Sequence, residues 1–128
     1  MTVKYVFGWR DRPDLSAEEC ERHYREVHMA MAEQAYDGVD GFVAIVYNRV
    51  RTHAVNDYNQ PVRYERDPDM DAFCEIFFRD EDSMAAAFAL PVMRTLFDDH
   101  VNFMDVDVPA NIRIYAVDET VFIGKRPQ

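Results

Sequence analysis

Two hydrophobic periods alternate along this chain, and their order limits the folds open to it. Residues 3–9 alternate and are rich in Val, Tyr, Phe and Trp, the period of a strand. Asp11-Arg12-Pro13-Asp14 breaks that strand. Ser16 then caps a helix, with Glu19 placed for a reciprocal capping box and Leu15 placed to staple onto Cys20. Glu18 and Glu19 suit the positive end of the helix dipole. Cys20, Tyr24, Val27, Met31 and Ala35 share one helical stripe, so the helix is predicted to run to about Tyr36. Asp37-Gly38 and Asp40-Gly41 end it. Strands are predicted over Phe42–Val50, Asp71–Arg79 and Asn111–Val117. A helix is predicted over Glu81–Leu90, with a short one resuming after Pro91 through Phe97. The tail Thr120–Ile123 can add to a sheet edge. The order β-α-β-β-α-β specifies one α+β, ferredoxin-like domain over residues 1–128, an antiparallel sheet with two helices on one face.

The second sheet face then needs a cover. Phe42-Val43-Ala44-Ile45-Val46-Tyr47 and Ile76-Phe77-Phe78 are apolar on both sides, as in sheets covered on both faces. Two helices cover one face, and the other would be left as an apolar patch. A second copy related by a two-fold axis is the simplest cover, so a homodimer is expected. The net charge of −10 repels phosphate backbones and anionic headgroups, which argues against nucleic-acid and membrane partners. No apolar run approaches the ~18 residues that span a bilayer. The opening Met1–Phe7 is too short and too quickly polar for a signal peptide, and Cys20 and Cys74 read as buried thiols. A cytoplasmic location follows as the default.

Several segments resemble a known family. Lys4-Tyr5-Val6-Phe7, Arg10–Pro13, Leu15-Ser16-Ala17-Glu18-Glu19, Tyr24 and Val27-His28 are similar to the opening of EthD-type proteins of the dimeric α/β-barrel superfamily. Asp71–Phe78, with Glu75 inside an apolar strand, resembles the family's third strand, and Asp99–Phe103 its acidic-to-Phe segment. The length and the extended central loop are also similar to RedY-like members of pigment and bisindole biosynthesis. Ala30 and Met31 stand where the family has Pro and Leu, and His23 replaces the first residue of an aromatic pair. The resemblance implies a homodimer with facing sheets and a pocket between each sheet and its helix-side loops. Its superfamily includes cofactor-free cyclases and isomerases, haem-degrading oxygenases and proteins of no known activity, so the fold transfers well and the function poorly.

The residues themselves suggest acid–base chemistry. Histidine is the usual proton-transfer side chain, and there are four. His28 lies near the edge of the apolar stripe, where it either presents one nitrogen to a cavity or serves as a hydrogen-bonded boundary residue. His23 lies on the opposite edge, flanked by Glu19 and Glu26, whose charges would raise its pKa. On an α-helix the two rings are about 140° apart, too far to share one metal. His53 opens the polar stretch 51–69 and reaches a pocket mouth or solvent. His100 follows Asp98 and Asp99, which suits a cation at a helix end. Glu75 interrupts an apolar strand. It must be paired, with Lys4 or Arg113 as partner, or be a pocket carboxylate of raised pKa. Tyr5, Tyr24, Tyr47, His53 and Phe77 are candidate substrate contacts, the aromatics suiting a flat, apolar ligand.

There is no Gly-rich phosphate loop, Cys–Cys metal pair, nucleophile elbow or dinucleotide fingerprint, so no cofactor and no metal are expected. The resulting expectation is a cofactor-independent enzyme of small secondary or aromatic metabolites, catalysing cyclisation, tautomerisation or dehydration. His28 would be its general base or acid, with Glu75 or a second histidine, His23 or His100, orienting it or taking the other proton. Two alternatives stay open: a non-catalytic metabolite-binding accessory protein using the same pocket, and a haem-dependent oxygenase with an axial histidine in it.

Overall fold

Strands β1 (Val3–Trp9), β2 (Phe42–Arg49), β5 (Ala72–Phe78) and β6 (Ile112–Val117) form one antiparallel sheet in the order β2-β5-β1-β6. A two-residue ladder, β3 (Ala54–Val55) with β4 (Pro61–Val62), lies in the connection between β2 and β5. The computed structural model describes residues 2–50, 54–55, 61–62 and 70–126. The architecture is the α+β, ferredoxin-like one, and each strand of the main sheet lies within two residues of its predicted bounds. Among the described residues no helix is long and apolar enough to cross a membrane.

The first helix departs from the regular form. α1 (Ala17–His23) starts at Ser16, whose hydroxyl accepts the Glu19 N–H at 3.1 Å. It runs into a π turn over Tyr24–His28, in which the Met29 N–H reaches the Tyr24 carbonyl, and then into α2 (Met29–Tyr36). The π turn explains which side chains are buried. Cys20, Tyr24, His28, Ala32 and Tyr36 are all buried, each four residues from the last. Four residues of α-helix advance about 400°, so such a line drifts about 40° per step. The wider π turn takes up the drift. The expected stripe through Val27 is therefore displaced: Val27 is 43% exposed, and His28 takes the core position.

α3 (Glu81–Phe88) begins at Asp80, whose carboxylate accepts the Ser83 N–H at 2.8 Å. Gly41, at φ 79°, lets the chain turn into β2 beside that helix; a Cβ there would meet the Ser83 side chain at 2.4 Å. Pro91 separates α3 from α4 (Val92–Asp98), which tightens into a 3-10 turn over Asp99–Asn102. Val3, Tyr5, Phe7 and Trp9 of β1 pair with Phe78, Ile76, Cys74 and Ala72 of β5 on the helix side of the sheet. Trp9, Phe78, Phe103 and Met93 are at most 1% exposed. Each such side chain contributes roughly 1.5–3 kcal/mol by leaving water.

The other face carries the opposite residues. Val46, Glu75, Val6 and Tyr115 form one cross-strand row. Glu75 is the ion-paired residue of that face. Lys4 Nζ lies 2.7 Å from its Oε2, and Asn48 donates to its Oε1 at 3.1 Å. Of the two expected partners, Lys4 takes the role; Arg113 instead reaches the Ala110 carbonyl at 3.5 Å. The tail does not extend the sheet as expected. Glu119 pairs with Lys4 at 2.8 Å, and the Arg126 guanidinium sits 4.2 Å over Phe77. These charges draw the tail across the sheet rather than along its edge.

Candidate active site

Between the sheet and the helices lies a cavity of about 480 Å³. Its size is that of a small-molecule site. Tyr5, Phe7 and Trp9 of β1 form its floor with Ile45, Cys74, Ile76, Ile112 and Ile114. Tyr24, His28, Met29, Ala32 and Tyr36 form one wall, and Phe88, Leu96, Phe97 and His100 another. Ala32 and Cys74 are small, which leaves space where larger side chains would fill a core.

His28 is fixed from behind. Its Nδ1 lies 2.8 Å from Asp99 Oδ2, and both side chains are 6% exposed. An ionised carboxylate can only accept, so Nδ1 carries a proton, and in the neutral ring Nε2 then keeps its lone pair. Burial would raise the Asp99 pKa, but hydrogen bonds from Asn102, His23 and His28 hold it below the usual carboxylate range. Burial pushes the His28 pKa below the ordinary imidazole value, against the attraction of Asp99. His28 is therefore a neutral imidazole at pH 7, with its proton placed by Asp99.

His100 lines the same cavity, its ring centroid 5.2 Å from that of His28. Burial, then repulsion from His28, lowers its pKa to about 4. It is neutral and not the helix-end cation expected from the adjacent aspartates. Among the described residues its ring has no hydrogen-bond partner; Phe7 and Phe97 pack against it, with centroids at 5.1 and 5.9 Å.

His23 stands behind His28. Its Nε2 lies 2.9 and 3.0 Å from the two Asp99 oxygens. Its acidic partner is Asp99, not the helical neighbours Glu19 and Glu26. The 140° separation expected of an α-helix is closed by the π turn, whose i→i+5 ring brings residues five apart to one side. Asn102 completes the carboxylate's shell, donating to Oδ1 at 2.8 Å.

The other predicted site residues divide. Tyr5 and Tyr24 line the cavity. Tyr47 does not: it stacks behind Tyr24 at 4.4 Å, under the Arg25 guanidinium. Phe77 and Glu75 lie on the opposite sheet face, because they alternate with the inward Cys74, Ile76 and Phe78. Glu75 is also not a raised-pKa acid. Burial would raise it, but the hydrogen bonds from Lys4 and Asn48 outweigh burial and lower it. His53 falls outside the described residues. The Tyr24 hydroxyl is buried facing the Cys74 thiol, without a hydrogen bond of good geometry. Burial raises the Tyr24 pKa and pushes the Cys74 thiol up to about 12, so neither ionises near neutrality.

Asp99 is not among the predicted site residues. Its signal is an acidic residue between the apolar pairs Leu96-Phe97 and Phe103-Met104.

Fold and cavity together define a ferredoxin-like α+β protein with an apolar, ligand-sized pocket edged by two histidines. The chain belongs to the EthD family: the EthD domain matches residues 12–107. Among solved structures, an EthD-like protein from Ralstonia eutropha JMP134 superposes with a TM-score of 0.67 at 13% identity, over 98% of this chain and 97% of that one. SnoaB from Streptomyces nogalater, a cofactor-independent oxygenase, superposes with a TM-score of 0.60 at 14% identity, over 97% and 98%. A dimeric protein of unknown function and ferredoxin-like fold from Bacteroides fragilis does so with a TM-score of 0.52 at 13% identity, over 94% and 96%. No curated protein matches the chain by sequence.

Proposed function

We propose that this EthD-family protein is a cofactor-independent enzyme that moves protons on a flat, apolar metabolite bound in the cavity. The observation that carries the reading is the His28–Asp99 pair at the cavity wall, with Nδ1 held at 2.8 Å. His28 Nε2 takes a proton from an acidic C–H or O–H of the substrate. The imidazolium that forms is stabilised by Asp99 in an interior where charge interactions are strong. His100 is a second neutral imidazole facing the same volume, suited to exchanging a proton at another substrate atom. Return of the proton at a different position gives tautomerisation, and ring closure or loss of water follows from the same carbanion or enolate. The aromatic and aliphatic walls hold a planar substrate and limit water. SnoaB, of the same fold and described as cofactor-independent, supports chemistry without a prosthetic group.

The protein works as a homodimer in this reading, joined through the sheet face opposite the cavity. Support comes from Val46 and Tyr115 in the Glu75 row, which are 39% and 53% exposed, and from the dimeric Bacteroides fragilis protein of the same fold. Two free, buried cysteines suit a reducing compartment such as the cytoplasm.

Turnover of a panel of aromatic ketones and polyketide-like phenols, by wild type and His28→Ala, tests the assignment. The variant should lose about 10²-fold or more in rate on any substrate turned over. An unchanged rate would remove His28 from the mechanism. Tight binding without turnover by wild type would make the protein a carrier.

A further inference from the structure

His23 lies outside the cavity wall, yet it is tied to the group inside. Asp99 Oδ2 is 2.8 Å from His28 Nδ1 and 3.0 Å from His23 Nε2, so one oxygen serves both rings. Asn102 holds the other oxygen at 2.8 Å, which keeps the carboxylate from turning away from either. His23 stacks on Phe103 with centroids 5.6 Å apart. Its side chain is 25% exposed, against 6% for Asp99 and 6% for His28. Among the described residues its Nδ1 has no hydrogen bond, and of the two rings on Asp99 this is the one that meets solvent. The π turn supplies the geometry; a continuous α-helix would carry the two rings about 140° apart.

We propose that His23 is a positioning residue that sets the basicity of His28 from outside the cavity by sharing Asp99. This rests on the reading of His28 as the cavity base. A carboxylate's charge favours the protonated form of any imidazole it touches. When His23 carries a proton, it neutralises part of that charge and repels a second imidazolium, so His28 holds a proton less well. When His23 is neutral, Asp99 acts more fully on His28. The charge on His23 thus reaches His28 through the one carboxylate they share. The other titratable neighbours are His100 from the same 3-10 turn, Asp98 at the end of α4, and Tyr24 of the π turn. On α1 and the π turn, Glu19 and Glu26 lie at helical spacing from His23, and Arg22 directly precedes it. The sheet faces the cavity with Tyr5 and Cys74 and with no charged group.

The test reads His28 directly and needs no substrate, so its failure is separable from failure of the catalytic reading. The Hε1 and Cε1 resonances of His28 are followed against pH in wild type, His23→Gln and His23→Phe. Gln keeps a neutral donor to Asp99; Phe keeps the stacking on Phe103 and loses the donor. In both variants the His28 midpoint should rise by 0.5 pH unit or more, about a threefold or larger change in proton affinity. In an Asp99→Asn background the same changes should have no such effect. Wild type alone should show a second inflection in the His28 shifts at the midpoint of His23, which keeps the test open if a variant fails to fold. A His28 midpoint that is the same in wild type and His23→Gln, or a wild-type His28 curve without a second inflection, would overturn the proposal.

Discussion

His23 and His28, five residues apart on one helix, hydrogen-bond the same oxygen of Asp99, at 3.0 and 2.8 Å. The π turn between them makes this possible. The register it sets, the cavity it borders and the protonation state it imposes each have measurable consequences.

The register is the simplest to test. Val27 lies on the apolar stripe of a regular helix, but the π turn leaves it 43% exposed. Val27→Lys should change stability by less than about 0.5 kcal/mol in urea unfolding. Tyr24→Ala, which empties a side chain 2% exposed, should cost about 3–5 kcal/mol. A core-sized penalty at position 27 would mean that the helix is regular and that His23 and His28 diverge.

The fold was legible in the sequence because its signals are local. Alternation, caps and turn residues fixed each strand of the sheet to within two residues. The site was less legible, because its key contact joins residues 71 positions apart in the chain. Glu75 stands out in the sequence as a carboxylate in an apolar strand. Both faces of that strand are apolar, so the alternation could not say which face the helices cover. Asp99 sits beside His100, and that pairing suits a helix end with His100 as its cation. The π turn left no clear signal, since an apolar stripe through Val27 and a four-residue line through His28 fit the same segment.

Acid stability follows from the buried histidines. His100 binds a proton only near pH 4, whereas an unfolded histidine titrates at the model-compound value of 6.5. His28 is shifted in the same direction. The unfolded chain therefore binds more protons between these values. The native state keeps its full margin above pH 6.5 and loses it as pH falls toward 4. For His100 the loss is on the order of 3 kcal/mol. His100→Phe should flatten the urea midpoint over this window, and an equally steep decline would show that His100 is not buried neutral. The lowered pKa of Asp99 acts at more acidic pH.

Trp9 reports on the cavity. It is the one tryptophan of the chain, is 1% exposed and lines the floor. A planar probe such as 1-naphthol should quench its emission saturably in wild type. Ala32→Phe, which fills the space opposite the sheet, should weaken that binding at least tenfold while the far-ultraviolet circular dichroism stays unchanged. Equal binding by the variant would place the ligand elsewhere.

The opposite face can be tested by mass. Sedimentation at micromolar concentration should give about twice the 15.0 kDa of one chain. Tyr115→Glu and Val46→Glu put charges into the apolar row beside Glu75 and should give folded monomers. A monomeric wild type would remove the paired assembly.

The central claim is that His28 is a neutral imidazole whose proton Asp99 holds on Nδ1, leaving Nε2 as the base. Nitrogen-15 correlation spectra of the histidine rings at pH 7 test it most directly. The account predicts that His28 is in the Nδ1–H tautomer, with the nitrogen-15 shift of an unprotonated Nε2. A His28 ring carrying its proton on Nε2, or on both nitrogens, would contradict it.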